Sequence, residues 1–206
     1  MNLRRRRLLA GAAAPWLAAL PRLAHAGAQI EEPLADAVRS ALSAAIANSA
    51  PPRPAFDTIE ARLAYLRWLG AMSTRLQRRK AEHMTRVEFL ETLWYESKRA
   101  GLEPALVLGL VQVESGFRKY AISAAGARGY MQVMPFWTRL IGDGDAASLF
   151  HMQTNLRFGC VILRHYLEVE RGDLFMALGR YNGSRGKAPY PDAVLGARKA
   201  WLHPDG

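Results

Sequence analysis

The 206-residue chain is half hydrophobic, which excludes a disordered chain and leaves enough apolar surface for one or two small domains. A single cysteine, Cys160, excludes an intrachain disulfide. The formal charge of +10 would suit a nucleic-acid partner only if it belonged to the folded part of the chain.

It does not. Residues 1–26 combine a basic start, an Ala/Leu run too short to span a bilayer, and Ala24-His25-Ala26, the A-x-A form of a cleavage site. Their removal takes away arginines 4, 5, 6, 7 and 22 and no acid, which lowers the charge from +10 to +5. A nucleic-acid partner is therefore not expected. The remaining surplus suits an anionic polymer or a membrane surface, or is simply a solvated face. Arg5-Arg6-Arg7-Leu8-Leu9 resembles the twin-arginine export pattern, although an ordinary Sec signal shares the basic start. Either route exports the protein to the periplasm, with cleavage after Ala26. No cysteine follows that site, so no stable membrane anchor is expected.

The region 27–82 reads as helical. From Glu31 to Ala50, Leu34, Val38, Leu42 and Ile46 recur at i, i+4 spacing, one amphipathic helix that the proline-rich run at 51–54 ends. Asp57 with Glu60 predicts a capping box for a second helix, with Ile59, Leu63, Leu66 and Leu69 as its apolar stripe. A basic stretch over 75–86 leads into a third helix carrying Val87, Leu90, Leu93 and Trp94. Gly101 stops it, and Pro104 suits the first turn of the next. A polar, Gly-rich segment over 118–135 has room for a short β-ribbon. Another loop spans 141–150. Residues 152–169 are helical, with Leu156, Gly159, Cys160, Leu163 and Leu167 on one face, and residues 173–186 form a short helix with a glycine turn. The fold class is all-α. Cys160 fits a core position, or a free thiol that joins two chains. The five histidines lack neighbouring ligands at metal-binding spacing, so no metal and no cofactor is expected.

One acid stands out. On the helix from Pro104, Glu114 shares a face with Val107, Leu110 and Val111. Desolvation there would raise its pKa and keep it protonated, as a general acid requires. The other reading is a solvated helix end, or a pair with Arg118 or Arg128.

Its context decides between them. Glu114-Ser115-Gly116-Phe117 is followed by Ser123, then by Gly126-Ala127-Arg128-Gly129-Tyr130-Met131-Gln132-Val133-Met134-Pro135. Asn155-Leu156 with Gly159 comes next, then Tyr181-Asn182-Gly183. This ordered set resembles the soluble-type lytic transglycosylases of glycoside hydrolase family 23, relatives of goose-type lysozyme. The resemblance covers about Thr85 to Trp201. It implies a lysozyme-like helical catalytic domain over 83–206 that cleaves the MurNAc–GlcNAc bond of peptidoglycan without water and leaves 1,6-anhydro ends. It implies Glu114 as the single catalytic acid/base. Ser123, Gln132, Met134, Tyr181, Asn182 and Tyr190 match the family's substrate contacts. Two positions depart from the pattern. Tyr130 stands where the family has Leu. Arg180 replaces the Ala before Tyr-Asn, either to meet an acidic stem peptide or to face solvent. A goose-type hydrolase using Asp143 or Asp145, and a non-catalytic peptidoglycan-binding protein of a wall-spanning assembly, are the alternative readings.

Overall fold

A computed structural model of the chain describes residues 29–47 and 54–206. The expected export signal at 1–26 lies outside the described residues. Eight α-helices are present among those described. They are α1 (Asp36–Ala47), α2 (Ile59–Leu76), α3 (His83–Arg99), α4 (Pro104–Ser115), α5 (Phe136–Ile141), α6 (Met152–Val169), α7 (Leu174–Tyr181) and α8 (Pro189–Lys199).

α4 is the axis of the domain. Pro104 opens it and Gly116, with φ 57°, closes it in the left-handed region. Every residue from Pro104 to Val111 is buried, because α4 is apolar all round and neighbours cover it on several sides. α8 lies closest. A Cβ on Gly109 would stand 2.7 Å from the Arg198 backbone nitrogen and 3.0 Å from the Val194 carbonyl oxygen, so only glycine allows this approach. α3 packs on α2, α4 and α6, and α7 bridges α6 and α8. On α6, Gly159 makes room for Met131, whose sulfur would lie 2.3 Å from a Cβ there.

α1 crosses α5 and α6, and its C-terminal end is held by two arginines. Arg99 donates to the Ala45 carbonyl at 2.5 Å and Arg157 to the Ile46 carbonyl at 3.4 Å. Both also pair with Glu96, which is 1% exposed, at 3.2 and 3.0 Å. Two cations at the negative end of a helix share one buried carboxylate, so Glu96 is not left as an unpaired buried charge.

Several expectations are corrected. α1 begins at Asp36 and not at Glu31, with an irregular arm over 29–35. Thr58 and not Asp57 caps α2, its hydroxyl accepting from the Ala61 amide at 3.1 Å. Of the predicted α2 stripe only Leu69 packs against the core, while Ile59 is 73%, Leu63 49% and Leu66 48% exposed. The larger Tyr65, Trp68, Met72 and Leu76 are buried instead. The 118–135 loop contains two isolated bridges, Ile122 with Arg128 and Arg128 with Val133, and no strand among the described residues. The second loop holds a 3₁₀ helix, Ala146–Phe150. Residues 189–199, which the sequence reading left unassigned, form α8. Cys160 is 1% exposed, a core residue that cannot reach another chain, and burial pushes its thiol pKa well up.

Candidate active site

Glu114 occupies the last turn of α4 and is 5% exposed. Burial raises its pKa from 4.5 to about 8, against an opposing hydrogen bond from Tyr190. The Tyr190 hydroxyl donates to Oε1 at 2.5 Å, while Oε2 is buried with no hydrogen-bond partner. Burial thus favours the protonated carboxyl, with one oxygen held and the other unpartnered. The charge-paired reading fails. Arg118 donates to the Ser115 carbonyl and Arg128 to the Ala146 carbonyl, each within 2.9 Å.

α8 delivers Tyr190. The glycine contact that sets α8 against α4 is therefore what brings the phenol to the carboxyl. Tyr181 ends α7, is fully buried, and donates to the Met131 carbonyl at 2.8 Å. It lies close enough to Glu114 for that carboxyl to oppose its ionisation, although burial is the larger cause of its raised pKa. Asn182 donates to the Ser184 hydroxyl at 3.0 Å, and its Oδ1 is buried and unpartnered.

The remaining expected contacts build the loop beside this group. The Gln132 amide donates to the carbonyls of Ala121 at 3.1 Å and Gly129 at 2.9 Å, and its φ of 49° places a side chain where glycine is usual. Gln132 is 2% exposed, so it shapes the loop from within. Ser123 Oγ accepts from the Ala127 amide at 3.1 Å, a use that leaves its own proton to donate. Met134 is half-buried against the core. Ser123, Gln132 and Met134 thus stand in the loop after Glu114, and Tyr181, Asn182 and Tyr190 come from the far end of the chain.

Three residues have roles here that the sequence did not assign: Asn155, known there only as part of a motif, Arg180, read there as a peptide contact or a solvent-facing residue, and Gln29. Asn155, buried in α6, accepts from the Met131 amide at 2.8 Å and donates to the carbonyls of Arg128 and Leu149 at 2.8 and 2.9 Å. It fixes the loop to α6, and an asparagine within an apolar helix face was the available signal. Arg180 does not face solvent alone. Its Nη1 binds both oxygens of Glu32 at 2.7 and 2.8 Å and its Nε binds Glu170 at 2.8 Å. Gln29, 5% exposed, accepts from the Trp137 indole at 2.9 Å, and its amide faces the Tyr181 hydroxyl. Nothing local in the sequence marks Gln29. Among the described residues no group of three or more His, Cys, Asp or Glu could hold a metal ion.

Residues 92–194 match the family model described as the transglycosylase SLT domain. The chain is 38% identical over 84 residues to membrane-bound lytic murein transglycosylase C of Actinobacillus pleuropneumoniae serotype 5b, which covers 37% of this chain and 23% of that protein. It is 33% identical over 116 residues to the transglycosylase of Enterobacteria phage PRD1, covering 53% of this chain and 42% of that protein. Among solved structures, an inactive mutant of the lytic transglycosylase Slt from Pseudomonas aeruginosa overlays 68% of this chain and 27% of its own, with 23% identity and a TM-score of 0.44. The chain spans less than half the length of each of these relatives.

Proposed function

The chain belongs to the transglycosylase SLT domain family, and from that membership we propose that it is a peptidoglycan lytic transglycosylase with Glu114 as its single acid/base. The observation that carries this reading is Glu114 buried at the end of the apolar α4, its Oε1 held by the Tyr190 hydroxyl and its Oε2 without a hydrogen-bond partner. In the proposed reaction that carboxyl gives its proton to the oxygen linking MurNAc to GlcNAc, and the C1–oxygen bond breaks. The carboxylate left behind takes the proton of the MurNAc C6 hydroxyl as O6 bonds to C1. The 1,6-anhydro ring closes, Glu114 is protonated again, and no water is consumed. The sugar's own hydroxyl replaces a second catalytic group by proximity. The Tyr190 hydroxyl bond on Oε1 favours the carboxylate during that interval. Ser123, Gln132, Met134, Tyr181, Asn182 and Tyr190 are proposed to line or shape the glycan cleft, over a catalytic domain at 83–206.

The hydrolytic alternative needs a carboxylate to position water. Asp143 and Asp145 are exposed and engaged in the local turn, accepting from the amides of Asp145 at 2.9 Å and Ala147 at 2.8 Å. Export to the periplasm through residues 1–26 belongs to the same proposal. Among the described residues no helix is long and apolar enough to cross a membrane.

Mass spectrometry of the products from purified peptidoglycan tests the reading, with the protein from Gly27 onward and its Glu114→Gln variant. Anhydro-muropeptides from the first and none from the second are expected. Reducing-end products would move the assignment to a lysozyme-type hydrolase, and no release by either would favour a binding role.

A further inference from the structure

A cavity of about 350 Å³ lies beside the loop that follows Glu114. Its walls include Glu88 and Thr92 of α3, Lys119 and Tyr130 of the loop, and His151 and Gln153 at the head of α6. Glu88, Lys119 and His151 are exposed, so the cavity is open to solvent. None of these residues has a part in the proposed reaction.

Opposite charges line this one cavity without meeting. Among the described residues Glu88 and Lys119 join no ion pair, and the Lys119 ammonium lies 5.3 Å from the Tyr120 ring centroid. A second ammonium stands at Tyr130. Lys80, in the turn between α2 and α3, donates to the Tyr130 hydroxyl at 2.8 Å and lies over the rings of Phe89 and Tyr130 at 5.2 and 4.8 Å. The turn holds it firmly. The Lys80 amide binds the Leu76 carbonyl at 3.0 Å, and the buried Arg86 donates to the Lys80 carbonyl at 2.7 Å and to Ser73 at 2.9 Å. Burial, and then the Lys119 charge, push the Lys80 pKa down, with Glu88 opposing.

The groups left over have one need each. Lys80 spends one N–H on Tyr130, whose own proton is left to donate, and Lys119 keeps its donors. An anionic acceptor is what Lys80, Lys119 and Tyr130 lack, and a cation is what Glu88 lacks. The leucine of the family pattern would offer Lys80 neither ring nor hydroxyl, so the departure at Tyr130 creates this donor group. Lys80 and Glu88 also precede the family match at 92–194.

We propose that this cavity binds the zwitterionic end of a short peptide, its carboxylate taken by Lys119, Lys80 and the Tyr130 hydroxyl and its ammonium by Glu88. The peptide substituent of a peptidoglycan strand and a free peptide share this chemistry. The choice of peptide rests on the lytic transglycosylase reading. Occupancy would bear on the catalytic loop, since the Tyr130 carbonyl accepts from the hydroxyl of Ser115, the neighbour of Glu114, at 2.7 Å.

Calorimetry on the whole protein tests the site. The probe is a stem tripeptide with a blocked N-terminus and a diamino acid last, so that its final residue carries both charges. Lys119→Met and Glu88→Gln should each weaken binding about tenfold, the loss of one charge-assisted contact, and Tyr130→Phe about fivefold. Acetylating the amine of the probe should weaken wild-type binding as much as Glu88→Gln does, and the two losses should not add. Melting temperatures should hold in Lys119→Met and Glu88→Gln, because both side chains are exposed. Turnover of peptide-bearing and peptide-stripped strands distinguishes the sources. A KM that rises in Lys119→Met with peptide-bearing strands alone means that the peptide arrives on the strand. An unchanged KM with lost probe binding means that it arrives free, and either result supports the site. Variants that bind as wild type does, a wild type that binds no probe, or binding that survives acetylation would overturn it. Probe binding that depends on Lys119 and Glu88, without anhydro products from wild type, would overturn the lytic reading and leave the site standing.

Discussion

Replacing Glu114 by Gln should stabilise the fold progressively as pH rises. The native carboxyl keeps its proton up to about pH 8, whereas in the unfolded chain it ionises near 4.5. Between those values the native state binds one proton more than the unfolded state, so this group lowers stability by about 1.4 kcal/mol per pH unit. Its contribution is most favourable below 4.5, is lost through the window, and levels off above about 8, a total of roughly 5 kcal/mol. Gln does not titrate, and its side-chain oxygen can still accept from the Tyr190 hydroxyl. Thermal melts of wild type and variant at matched pH isolate this one group, because every other titration is common to both. From pH 5 to pH 7 the variant should gain about 3 kcal/mol on wild type, or about 5–10 °C in melting temperature for a chain of this size. A difference that stays constant from pH 5 to pH 8 would mean that Glu114 ionises normally in the fold. The general-acid argument would then fail.

Tyr190→Phe removes the hydrogen bond that opposes burial, so the Glu114 pKa should rise further and the alkaline limb of the pH–rate profile should move up. The rate itself should fall about tenfold or more, since the transient carboxylate loses a charge-assisted donor; a limb that stays in place would refute this account. Gly109→Ala forces α8 away from α4 at a contact between backbones, at a cost of about 1–3 kcal/mol. Melting temperature and turnover should drop together, because the displaced helix carries Tyr190, and an unchanged melt would show that the approach is looser than 2.7 Å implies.

Local chemistry in the sequence was enough to place much of this molecule. Pro104 and Gly116 bracket α4 because one fixes φ and the other takes the left-handed region, and the apolar stripe through Val107, Leu110 and Val111 gives Glu114 its dry setting. The ordered motifs placed the loop and the Tyr181-Asn182 turn. Periodicity could not choose the buried face of α2. Apolar residues recur at helical spacing on both of its faces, and contact with α3 selected the larger Tyr65, Trp68 and Met72 over Ile59, Leu63 and Leu66. The polar core was decided by tertiary structure alone. Tyr190 meets Glu114 across 76 positions, Gln29 meets Trp137 across 108, and Glu32 meets Arg180 across 148. A hydrogen bond between residues so far apart has no repeat length and no local pattern, so it exists only once helix packing has brought its ends together.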